Sequence, residues 1–110
     1  MKYLLFIVLE NTNQTSNLIK ELSLRGINGT VMASTSLKHV FEDEHEDTLQ
    51  FVSLSHIDQH KLTQNTTIYF ILDENNIEEV KQIIREKTGN FTNTKGGMFV
   101  TPLESFEGSF

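Results

Sequence analysis

Apolar residues occur along this chain in short continuous runs and in helical stripes, and the alternation of the two gives an order of elements. Tyr3-Leu4-Leu5-Phe6-Ile7-Val8-Leu9 is too short for a good helix and rich in strand formers, which predicts a first strand. In NTNQTSNLIKELSLRG, polar residues lead into Leu18, Ile19, Leu22 and Leu24, spaced as one face of a helix over roughly residues 14–25, with Gly26 as the stop. INGTVMAS predicts a second strand, and the almost wholly apolar TTIYFIL, residues 66–72, a third. A second helix is the clearest element: Ile77, Val80, Ile83 and Ile84 form one face, and Arg85, Lys87 and Gly89 close it. Asn75 and Glu78 have capping-box spacing at its start. Met98-Phe99-Val100 makes a last strand, which Pro102 confines to an edge or a strand end.

The resulting order, β-α-β then β-α-β, is the split unit of ferredoxin-like α+β folds, with both helices on one face of an antiparallel sheet. A long loop or hairpin, residues 34–64, joins strands two and three. An antiparallel sheet with one solvated face should alternate apolar and polar residues, yet the first and third strands are apolar on both sides. Either another subunit covers the second face, or residues 34–64 fold back over it.

A chain of 110 residues is one domain, 1–110, and at 37% hydrophobic and 22% charged its composition is globular. Fifteen acidic against nine basic residues give a net charge of −6, which repels a phosphate backbone and argues against nucleic-acid binding. The absence of cysteine excludes disulfides, thiol catalysis and Cys-based zinc sites. The first apolar run, seven residues long, is at the short limit for a signal peptide, has no small-residue cleavage site after it and cannot span a membrane. The expectation is a cytoplasmic protein, with the N-x-[ST] matches at Asn13, Asn28, Asn65 and Asn90 read as accidents of an Asn/Thr-rich chain.

Three stretches, KYLLFIVLENTN, NTTIYFILDENNIEEVKQIIREKTGN and KGGMFVTPLESFEGSF, together with NGTVMAST, resemble the PII signalling superfamily, and in particular its PII-like receptors for cyclic di-AMP. The resemblance implies a homotrimer whose sheets face inward, with ligands bound in clefts between subunits and long loops that signal to a target protein. It implies a cleft built from the second strand and its exit, the Asn-Thr-Thr segment and the Gly-Gly before the last strand. Carried over by motif, these are Asn28, Thr30, Ser34, Thr35, Asn65, Thr66, Thr67, Gly96 and Gly97. This chain reads Asn28-Gly29-Thr30 where those receptors have Arg-Ala-Thr, and its long loop joins strands two and three, as in nitrogen-regulatory PII. A nucleotide is the ligand class the resemblance points to, with Lys95, Lys38 or Arg25 offsetting its charge.

Other patterns admit plainer readings. Gly96-Gly97 serves either as a turn or as a nest of bare N–H groups beside Lys95. FEDEHED, residues 41–47, reads as a solvated loop tip, as a hard-cation site without EF-hand spacing, or as a docking surface for a basic partner. His56 and His60 are four apart, but the glutamate of a zinc-protease motif is missing, and His39 adds no pattern. TLQFVSLSHIDQHKL alternates in part, as the second arm of a hairpin would. No nucleophile elbow, P-loop or Rossmann fingerprint is present, so no catalytic residue, cofactor or metal is assigned. The sequence therefore supports a ligand-binding signalling trimer, with a ligand-free trimeric scaffold using the acidic 41–47 loop as the alternative.

Overall fold

The structure is a computed structural model that describes residues 1–37 and 64–110. Its elements are β1 (Lys2–Glu10), α1 (Asn13–Leu24), β2 (Thr30–Ser34), β3 (Asn65–Asp73), α2 (Glu74–Thr88) and β4 (Gly96–Pro102). The strands form one sheet in the order β2-β3-β1-β4, and every neighbouring pair is antiparallel. With its β-α-β-β-α-β order, this is the ferredoxin-like arrangement expected from the sequence.

Strand periodicity decides which residues meet the helices. Leu5, Ile7 and Leu9 of β1 pair with Phe70, Ile68 and Thr66 of β3. Leu5, Ile7, Leu9, Ile68 and Phe70 form one buried cluster with Leu18 and Leu22 of α1 and Ile77, Val80, Ile83 and Ile84 of α2. Burial of each such side chain contributes about 2 kcal/mol.

The alternate positions, Leu4, Phe6 and Val8 of β1 with Phe99 of β4, lie on the opposite face. There the Phe6 and Phe99 rings stack with centroids 5.0 Å apart. Phe99 is 57% exposed, and Met32 of β2 is 42% exposed. Among the described residues, the two helices thus cover one face of the apolar strands and leave the other partly bare.

Thr12 caps α1 from extended backbone, its Oγ1 accepting the Thr15 N–H at 3.3 Å. The start of α2 differs from the capping box expected at Asn75 and Glu78. The helix begins at Glu74 with Asp73 as N-cap, and among the described residues no side chain caps it. Asp73 is instead drawn to Lys2, at 2.8 Å, and Glu78 turns along the helix to Lys81, at 3.2 Å. The far end of α2 follows expectation, with Arg85 and Lys87 in the last turn and Gly89 left-handed.

Asn90 and Phe91 continue with positive φ of 56° and 65°. Buried Thr88 holds this turn: its hydroxyl donates to the Ile84 carbonyl at 2.8 Å and accepts the Phe91 N–H at 3.1 Å. Pro102 ends β4 at the edge of the sheet, as its missing N–H requires. No helix among the described residues is long and apolar enough to cross a membrane.

Candidate functional site

Strand register brings most of the sequence-predicted site residues to one end of the sheet. Ser34 lies opposite Asn65, and Asn65 opposite Glu10. One step further in, Thr66 is opposite Leu9, which is opposite Gly96. In the next row, Thr67 is opposite Val8, which is opposite Gly97. Adjacent strands are about 4.8 Å apart, so these rows span about 14 Å from β2 to β4.

Period-two geometry places Thr66 and Gly96 toward the helices, and Ser34, Asn65, Thr67 and Gly97 toward the open face. Ser34 Oγ and Thr67 Oγ1 are hydrogen-bonded at 2.7 Å, and the Thr66 hydroxyl donates to Asn11 Oδ1. The Thr35 hydroxyl oxygen is buried without a hydrogen-bond partner among the described residues, a condition that calls for a specific explanation.

The two glycines divide between the roles open to them in the sequence. A Cβ on Gly96 would sit 1.9 Å from the Val8 carbonyl oxygen, and φ there is 148°. Gly96 is therefore required by the close approach of β4 to β1. A Cβ on Gly97 would meet nothing within 4 Å among the described residues, so the side-chain position there faces open space.

Glu10, Thr12, Thr15 and Thr94, which the sequence left unassigned, complete this end together with Lys95. The Glu10 backbone N–H donates to the Lys95 carbonyl at 3.0 Å, and the Glu10 carboxylate accepts the Lys95 N–H at 3.0 Å. Thr12 and Thr94 hydroxyls meet at 3.1 Å, and the Thr15 hydroxyl donates to the Glu10 carbonyl at 2.6 Å. Together these bonds fix the loop before Gly96 to the start of α1. The available signal was the polar run E-N-T-N directly after strand one, at the sheet end where N-T-T opens strand three.

Asn28 and Thr30 are not part of this group. Thr30 lies opposite Tyr69 at the other end of β2, about 13 Å along the strand from Ser34. Asn28 lines a different cleft with Lys2, Arg25 and Asp73. There Lys2 donates to Asp73 and, by that bond first and its charge second, holds the Asp73 carboxyl below its ordinary range. Lys38, His39, the 41–47 run, the 49–54 alternation, His56 and His60 lie outside the described residues. Among the described residues, no group of three or more His, Cys, Asp or Glu side chains is placed to hold a metal ion.

Comparison with family models and with curated proteins gives no match. Among solved structures, a functionally unknown protein from Pediococcus pentosaceus is similar over 98% of this chain and 97% of its own, with a TM-score of 0.59 and 15% identity. At that identity the likeness is one of fold.

Proposed function

We propose that this chain is a cytoplasmic PII-like signalling protein that forms a homotrimer through the open face of its sheet. It binds a small ligand, a nucleotide of the cyclic di-AMP kind, at the hydroxyl-rich sheet end, where neighbouring subunits meet. The bound state passes to a target protein through the segment that follows β2. The role is recognition, with no turnover of the ligand.

One observation carries this reading. Ser34, Asn65, Thr67 and Gly97 share a face with two exposed apolar residues, Met32 in the Thr67 row and Phe99 at the next same-face row toward the middle of the sheet, so a neighbour drawn to the apolar surface stands beside polar groups suited to a ligand. The Thr35 hydroxyl, without a hydrogen-bond partner among the described residues, and the open space over the Gly97 Cα support it further, since the first is a buried polar group left to satisfy and the second lets a ligand approach closely. Exposed Lys95 stands next to them.

The test is a thermal-shift panel of cyclic di-AMP, ATP, ADP and 2-oxoglutarate at fixed protein concentration. A ligand at a hundred times its Kd adds about 2.7 kcal/mol to stability. The expected result is a shift with one nucleotide that Asn65→Ala and Ser34→Ala abolish. A flat panel from a trimeric protein overturns ligand binding and leaves the protein-interaction scaffold.

A further inference from the structure

At the opposite end of the sheet from the hydroxyl cluster is a second cleft, of about 350 Å³, within the size range of small-molecule sites. The end of α1, the end of β3 and the first turns of α2 form it, and Phe110 contributes one wall. Its charged lining consists of Lys2, Arg25, Asp73 and Glu79, two cations and two carboxylates. A simple anion or a simple cation therefore meets repulsion along with attraction, whereas a molecule carrying both signs can satisfy both.

The pairing within the cleft is uneven. Lys2 and Asp73 are closed on each other at 2.8 Å. Arg25, at the end of α1, spends its Nε on Glu21 at 2.9 Å and leaves Nη1 3.8 Å from Glu79 on α2. Arg25 and Glu79 thus form an ion pair that is longer than a hydrogen bond, so a ligand's carboxylate and ammonium can bond alongside it, one to each partner. The carboxamides of Asn28 and Asn76 add donors and acceptors, and Ile27 and Phe110 add apolar surface.

We propose that this cleft binds a small zwitterion, an α-amino acid with an apolar side chain. Its carboxylate accepts from the Arg25 guanidinium, its ammonium donates to Glu79, and its side chain rests on Ile27 and Phe110. The site is separate from the sheet-end nucleotide site, and either can fail without the other.

The experiment uses the full ¹⁵N-labelled chain, titrated with leucine through the millimolar range while the Asn28 and Asn76 carboxamide signals are followed. Both signals are expected to move saturably. N-acetyl-leucine, which lacks the ammonium, and leucine methyl ester, which lacks the carboxylate, are each expected to bind about tenfold more weakly or worse. Glu79→Gln, at an exposed position, is expected to weaken leucine binding similarly while leaving the remaining spectrum in place. Carboxamide signals that stay still with both leucine and phenylalanine overturn the proposal, and so does equal binding of the blocked forms.

Discussion

Replacing Gly96 by alanine tests whether the sheet end is held by the approach of β4 to β1. The added methyl would lie 1.9 Å from the Val8 carbonyl oxygen and 3.0 Å from Leu9 Cα, both backbone atoms of the central strand. Neither can rotate away, so β4 must retreat from β1 where Gly96 faces Leu9. A φ of 148° adds backbone strain for any L side chain. Overpacking of this kind costs about 2 kcal/mol and a strained backbone about 2 kcal/mol, which gives about 4 kcal/mol together. In urea, with a slope of about 2 kcal/mol per molar, the unfolding midpoint should fall by about 2 M. Gly97→Ala, with open space around its new methyl, should stay within about 0.5 kcal/mol of the parent. A Gly96→Ala midpoint within about 0.5 M of the parent would refute the reasoning.

Two further predictions concern the rest of the fold. Thr88→Val keeps the side-chain volume but strips the Phe91 N–H of its acceptor, and should cost about 1–3 kcal/mol by urea unfolding, with Thr88→Ser recovering most of the loss; a neutral Thr88→Val contradicts this. Asp73 should titrate below the ordinary aspartate range by NMR and rise toward it in Lys2→Met, because the Lys2 hydrogen bond is the largest cause of its depression. Since the folded-state value is the lower one, the pair's stabilisation is present above the unfolded carboxylate range and is lost as pH falls through the folded value. The stability curves of the parent and Lys2→Met should therefore converge in acid, and identical Asp73 titrations in the two proteins contradict the assignment.

The element order was legible because it depends on local periodicity. The apolar run of β1 and the Ile77, Val80, Ile83 and Ile84 face of α2 each declare their structure within a few residues. The start of α2 was misplaced by the same local logic. Asn75 and Glu78 have the spacing of a cap, but the strand before them runs to Asp73, whose side chain answers to Lys2 from another strand.

The sheet-end cluster was legible only in part. Motif points to Ser34, Asn65 and Thr67, and register alone sets them beside Gly97 and apart from Thr30. The Glu10–Lys95 and Thr12–Thr94 contacts join residues 85 and 82 positions apart, and isolated polar residues carry no period that would reveal such pairs. Nor does a Gly-Gly dipeptide show which member is sterically required, because the clash at Gly96 is with a carbonyl that strand pairing brings there.

Self-association through the apolar open face is the claim on which the subunit cleft depends, and sedimentation equilibrium across a wide concentration range tests it most directly. The expected result is a trimer that Phe99→Asp, placed amid that face beside Phe6, converts to a folded monomer. A parent protein that sediments as a monomer at every concentration contradicts it.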